Sequence, residues 1–214
     1  VFKLDGTILK KIATTLHEDR AEKIADLIST ICPTYGIDSA DILHEFLANI
    51  IHESGEFITR EENLNYSAPR LMIVWPSRFK NLAEADKYAH NPSKLSGFVY
   101  GKRKDLGNIT EADGWLFRGS GFIQMTGRSN FVAFGSYTRQ KFNIVKPLET
   151  WGDLLRNSDE WAIHSACYIY AVSMKLIPAS LADNMKYIVK RINGGYIGID
   201  SRMKYYERCK KYVV

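Results

Sequence analysis

The chain has 214 residues, 45% of them hydrophobic and 25% charged, enough apolar mass for one globular domain or two lobes and too much for a disordered chain. Its formal net charge of +5 is a mild bias towards polyanions, from nucleic acid to a phosphate-bearing bacterial envelope, and does not choose among them. Three scattered cysteines, Cys32, Cys167 and Cys209, lack CxxC spacing and are odd in number, so free thiols kept in a reducing compartment are expected rather than a disulfide framework.

In chain order, helices are predicted over Thr7 to Leu16 and over Asp19 to Ile31, the second with Ile24, Leu27, Ile28 and Ile31 on one face and Pro33 as a stop. The N-terminal residues hold no continuous apolar run, so no export signal is expected, and no later run reaches membrane-spanning length. Asp38 or Ser39 can cap a helix carrying Ile42, Leu43, Phe46, Leu47, Ile50 and Ile51, whose stripe Glu53 continues. That position predicts a carboxyl at a helix end among apolar neighbours, where desolvation favours the protonated form. Nine residues on, Glu62 stands among Glu61, Asn63, Asn65, Tyr66 and Ser67, a polar setting that favours the ionised form. An acid and a base so differentiated are what glycoside hydrolysis requires. Glu56 and Glu61 compete with Glu62 for the base, and in an extended segment Glu61 and Glu62 point oppositely.

Short helices broken near Pro76 and ending at Asn91-Pro92 are followed by a long loop region over about 93–121, punctuated by Gly97, Gly101, Gly107, Gly114, Gly119 and Gly121. No GxxxxGK[ST] or GxGxxG pattern opens a helix there, which excludes a phosphate-cradling nucleotide site. The basic groups Lys102 to Lys104 and Lys204, Arg208, Lys210 and Lys211 are read as solvated faces. Phe117 to Gly127 reads as extended, with Gln124 and Thr126 on one side and Ile123 and Met125 on the other. Helices are then expected from Ser129 to Tyr137, from the Ser158 cap through one long buried run ending near Lys175, from Ala179 to Arg191 and from Ser201 to Tyr212. The five histidines form no zinc signature, so neither a metal nor a cofactor is expected, and His52 is read as a structural neighbour of Glu53.

Six separated motifs, His52-Glu53-Ser54-Gly55, Glu62 to Ala68, Trp75 to Phe79, Asp113-Gly114-Trp115, Arg118 to Arg128 and Ile192 to Gly195, together resemble glycoside hydrolase family 19, and in particular its short bacteriophage-endolysin members. The resemblance runs from about residue 40 to about 205. It implies a mainly α, lysozyme-like, two-lobed fold with a substrate cleft and at most a small β element, residues 1–214 forming one catalytic domain. It implies hydrolysis of β-1,4 bonds in an N-acetylated amino-sugar polymer, with Glu53 as general acid, Glu62 as general base and Thr126 holding the attacking water. Tyr66, Gln124, Asn130, Asn193 and Asn65 fall on substrate-binding positions, and Arg202 resembles a late arginine packed behind the site. Members of the family invert, so the two carboxyls are expected about 6.5 to 9.5 Å apart. The sequence departs from the pattern at Ser120, where an arginine is usual; Arg118 is a candidate substitute.

Peptidoglycan is the first choice of substrate, cut between N-acetylmuramic acid and N-acetylglucosamine by an endolysin made in the host cytoplasm and acting on the wall after the membrane opens. A chitinase or an antibacterial effector is the alternative, and a catalytically silent wall binder a rival of another class. A monomer is expected, with glycan strands as partner, no nucleic acid and no stable membrane insertion. Among the aromatics, Tyr66 is expected to meet substrate and Trp75 and Phe79 to pack.

Overall fold

The computed structural model describes residues 2–214. Thirteen α-helices follow one another among these residues: α1 (Gly6–Ile12), α2 (Glu18–Ile31), α3 (Ala40–Ser54), α4 (Ala68–Val74), α5 (Leu82–Asp86), α6 (Pro92–Tyr100), α7 (Ala112–Leu116), α8 (Arg128–Phe142), α9 (Trp151–Asn157), α10 (Asp159–Cys167), α11 (Ile177–Leu181), α12 (Met185–Asn193) and α13 (Ile199–Tyr212). The only β structure among them is two isolated antiparallel bridges, Glu61 with Ser120 and Ser120 with Met125. The mainly α expectation holds. Among the described residues no helix is long and apolar enough to cross a membrane.

The chain divides into two compact units, one comprising the chain up to Arg60 with Gly121–Ile123 and Leu155–Val214, the other Glu61–Ser120 with Gln124–Leu154. In the first, α3 is the organising element. The Ser39 hydroxyl accepts from the Ile42 amide, a cap that stabilises a helix start by about 1 kcal/mol. Beyond it Leu43, Phe46, Leu47, Ile50 and Ile51 are fully or almost fully buried. This helix packs along α13, while α2 packs on α1 and α10. Cys32 and Cys167 meet in this core with their sulfurs 3.6 Å apart, and all three cysteines are free and buried.

Helix α3 ends abruptly. Gly55, Glu56 and Phe57 all take the left-handed conformation, with φ of 57°, 60° and 64°. For the two non-glycine residues this costs about 1 kcal/mol or more each, which local contacts must offset. The Ser54 hydroxyl accepts from the Phe57 amide at 2.8 Å, and the Phe57 ring is buried edge-on against Phe122 at 5.2 Å. The Glu56 carboxylate accepts from the amide and hydroxyl of Thr15 at 2.6 Å and from the Tyr205 hydroxyl at 2.9 Å. Burial opposes its charge, but these donors and Arg208 hold it below the usual carboxylate range. Glu56 is thereby a structural clamp on the turn that follows Glu53, which removes it as a candidate base.

In the second unit Leu64, Leu71, Phe79, Leu95 and Val99 form a core against which Tyr66, Trp75, Tyr88 and Tyr100 pack. The region expected to be a long loop is largely helical. The glycines there permit close approach instead of breaking helices: a Cβ on Gly114 would lie 2.2 Å from the Ser96 carbonyl, and one on Gly101 2.8 Å from the Cα of Glu111. They let α6 and α7 meet backbone to backbone. The expected single helix from Ala179 to Arg191 is instead two, because Asp183 turns left-handed and the Asn184 side chain caps α12 by accepting from the Tyr187 amide. The long run from Ser158 also changes character, passing from α10 into a π-helical stretch at Tyr168–Ser173.

Candidate active site

Glu53 lies in the last turn of α3, where helix geometry sets it on the same face as Asn49. Its Oε1 accepts from Nη2 of Arg202, while Nη1 of Arg202 donates to Asn49 Oδ1 at 2.8 Å. The guanidinium is 1% exposed, so this is a charged contact shielded from water on one side. The expected apolar setting is corrected: a buried cation from α13, not a hydrocarbon wall, seats the carboxyl. The one-dimensional pattern of α3 could not show it, because the partner is 149 residues away. Arg202 does fall behind Glu53 as the family resemblance implied. His52 bonds through Nδ1 to the Ser201 hydroxyl at 3.0 Å; burial, with Arg202 adding to it, holds the imidazole below its usual range and hence neutral near pH 7. Its role is to tie the end of α3 to α13.

The second carboxyl is held differently. Glu62 is half-buried, and its backbone amide donates to the Gly119 carbonyl at 3.0 Å. Oε1 accepts from the Tyr100 hydroxyl at 2.5 Å and Oε2 from the Gly119 amide at 3.3 Å. Burial and the neighbouring Glu62 charge raise Tyr100 far above the ordinary phenol range, so the proton stays on the phenol and the bond has a fixed sense. Glu62 therefore has two neutral donors in place of the open hydration expected of its asparagine-rich neighbourhood.

Gly119 is the hinge of this arrangement. A Cβ there would fall 2.6 Å from Gln124 Oε1 and 3.0 Å from the Glu62 Cβ, so the missing side chain is what lets Gln124 and Glu62 share the space. Gln124 itself is left-handed, with φ of 53°. The segment from Phe117 to Gly127 thus holds a turn closed by the Ser120–Met125 bridge, not an extended strand, and the simple alternation fails: Met125 is buried while Ile123, Gln124 and Thr126 are all half-buried. The Thr126 hydroxyl donates to the Gln124 carbonyl at 2.9 Å and keeps its lone pairs as acceptors.

Glu61, the rival base, pairs with Arg118 at 2.5 Å, and Arg118 also donates to the Trp115 carbonyl and lies 3.5 Å from the centroid of the Trp115 ring. Arg118, the candidate substitute for the arginine missing at Ser120, is thus paired to Glu61. Ser120 is fully buried, its hydroxyl donating to the Arg118 carbonyl at 2.8 Å. Of the expected substrate residues, Tyr66 stands edge-on to Trp75 at 5.5 Å, and Asn65 bonds to His90 on the surface. Asn130 donates to the Thr126 carbonyl at 2.7 Å, and Asn193, exposed at the end of α12, donates to the Ile197 carbonyl at 3.3 Å. Phe79 is buried, in its expected packing role. Tyr100, which holds the Glu62 carboxylate, is a candidate site residue that sequence reasoning missed. Its signal, an aromatic at the end of a helix, was hidden when α6 was read as loop.

No family model matches the chain. It is 33% identical over 161 residues, 75% of this chain and 74% of the other, to a protein of Haemophilus influenzae (strain ATCC 51907 / DSM 11121 / KW20 / Rd) named "Glycosyl hydrolase family 19 domain-containing protein". Among solved structures, chitinase C from Streptomyces griseus HUT6037 shares the fold with a TM-score of 0.61 at 14% identity, over 98% of this chain and 76% of that one. A chitinase C mutant gives 0.59 at 14% identity, over 98% and 91%.

Proposed function

Because the chain belongs to glycoside hydrolase family 19, and is therefore a glycoside hydrolase, we propose that it cuts peptidoglycan between N-acetylmuramic acid and N-acetylglucosamine by an inverting acid/base mechanism. Glu53 is the acid in this reading. Arg202 occupies its Oε1, so Oε2 is the oxygen that carries the proton to the departing glycosidic oxygen. Glu62 is the base. With Tyr100 and Gly119 fixing its two oxygens, it accepts one hydrogen of a water while Thr126 accepts the other, which aims the water's remaining lone pair at the anomeric carbon. Tyr66, Asn65, Gln124, Asn130 and Asn193 contact the sugars.

The observation that carries the catalytic reading is that both carboxyls at the family's acid and base positions are held in fixed orientations, Glu53 at one oxygen by Arg202 and Glu62 at both oxygens by Tyr100 and Gly119. Preference for peptidoglycan is supported by the net charge of +5, which suits an acidic wall polymer over a neutral one. The endolysin reading, with synthesis in the bacterial cytoplasm and action after the membrane opens, is supported by three buried free thiols that a reducing compartment preserves. Chitin is the second reading, favoured by the name chitinase C carried by both solved structures that share the fold.

Mass spectrometry of the fragments released from purified sacculi decides between them. Muropeptides with a reducing N-acetylmuramic acid end are expected; release of sugar from chitin alone, with sacculi intact, would overturn the peptidoglycan reading.

A further inference from the structure

Within the second unit, α6 and α7 border a groove of about 700 Å³ whose lining includes Tyr88, Lys94, Phe98, Lys102, Glu111 and Trp115. That volume suits a small ligand or a few sugar rings. None of the residues assigned above to catalysis or substrate contact lines it. Tyr88 and Phe98 stack with centroids 4.5 Å apart and planes 27° apart, and Phe98 remains 37% exposed. Trp115 is backed by the buried Arg118 guanidinium, itself fixed by Glu61, so the indole is a rigid wall. Rigid aromatic surfaces at a groove lose little entropy on binding, and the apolar face of a pyranose ring fits against them.

The polar groups at the rim have a definite bias. Lys94 is exposed, makes no ion pair among the described residues and rests 5.1 Å from the Tyr88 ring centroid. A cation parked on an exposed aromatic ring is held weakly, by about 1 kcal/mol or less, and can move to a carboxylate. Lys102 and Glu111 pair at 3.1 Å, both exposed, offering a donor and an acceptor side by side to hydroxyl or acetamido groups. Aromatic wall, exposed cation and donor-acceptor pair together match an N-acetylated sugar with a carboxylate-bearing peptide attached to it.

We propose that this groove is a second glycan site, which takes an N-acetylated sugar of a peptidoglycan strand together with a carboxylate of the stem peptide it bears, and holds the enzyme on the wall apart from the residues that cut. The inference rests on the peptidoglycan reading above. Two weak sites on one polymer raise the effective concentration of substrate at the catalytic one, so the groove acts on insoluble wall and not on short soluble pieces.

The test is sedimentation binding to teichoic-acid-free sacculi with the Glu53→Gln protein, compared with the same protein carrying Lys94→Glu and Ala112→Glu. Lys94 is the third residue of α6, its amide bonded to the Asn91 cap, and Ala112 is the exposed first residue of α7. An acidic side chain is favoured in the first turn of a helix, so both changes suit the fold while placing negative charge in the groove. Roughly tenfold weaker sacculus binding is expected, with insoluble chitin bound equally by both proteins and cleavage of short soluble chitooligosaccharides unchanged when the groove substitutions stand in the Glu53 enzyme. Unaltered sacculus binding, no sacculus binding by the Glu53→Gln parent, or a loss confined to chitin would each overturn the proposal. Failure of the function reading is seen separately, as intact sacculi in the fragment analysis, because binding is measured without turnover.

Discussion

Glu53 and Glu62 are chemically identical side chains set in different surroundings by the elements that carry them. One ends a long buried helix, and its environment comes from α13, as a guanidinium with 1% exposure. The other stands in an irregular segment, and its environment comes from a phenol on α6 and a main-chain amide. A cation on a single oxygen orients the carboxyl through that oxygen; neutral donors on both oxygens fix the plane of the group without cancelling its charge. The difference shows that position in a regular element says where a carboxyl is, while its chemistry is set by whatever distant segment closes over it.

The comparison can be broken most sharply at the carboxyls themselves. Glu53→Gln is expected to lower kcat on sacculi by about 10³-fold or more with wall binding retained, and Glu62→Gln by about 10² to 10³-fold; Glu61→Gln should cost far less, and a reversal of the last two would exchange their assignments. Next comes the neutral donor. Tyr100→Phe removes a bond to a charged group, and a fall of about tenfold in kcat with little change in KM is expected from steady-state kinetics. A KM effect alone would move Tyr100 from positioning the base to contacting sugar.

The smallest expected effect is on stability, and it uses a third carboxyl as control. Glu45 lies on α3 about two turns before Glu53, is 1% exposed, and has the Asp183 carboxylate beside it where Glu53 has a guanidinium. Burial, reinforced by Asp183 and Asp41, raises it from 4.5 to about 8. The unfolded chain ionises first, so the stability this group contributes is complete below pH 4.5 and is lost as pH rises through 8. Glu45→Gln should therefore stabilise the protein increasingly above pH 4.5, by on the order of 2 kcal/mol near neutral pH, measured as denaturant midpoints across pH. A variant less stable than its parent near pH 8 would show that the ionised group has a partner in solution.

Much of this was legible before any coordinates. The apolar stripe of α3, the cap at Ser39, the positions of Glu53 and Glu62 in the chain, and the arginine behind Glu53 follow from local pattern and family resemblance. What escaped was set by contacts distant in sequence. Glycines 97, 101 and 114 look like loop punctuation because their role, letting α6 and α7 touch, exists only once both helices are paired. With α6 unseen, Tyr100 had no address. The break between α11 and α12 turns on a single left-handed Asp183, and three successive left-handed residues after α3 are stabilised by Thr15 and Tyr205, neither of which local propensity can foresee.

Gly119 carries a consequence for how this enzyme can vary. Its amide donates to the Glu62 carboxylate, its carbonyl accepts from the Glu62 amide, and the room above its Cα is filled by Gln124 and Glu62. One methyl group, in Gly119→Ala, would push on both side chains at once without altering any charge. The tolerance of this position to substitution should accordingly be far narrower than that of either flanking residue: the reactive end of the molecule is gauged by an atom the sequence leaves out.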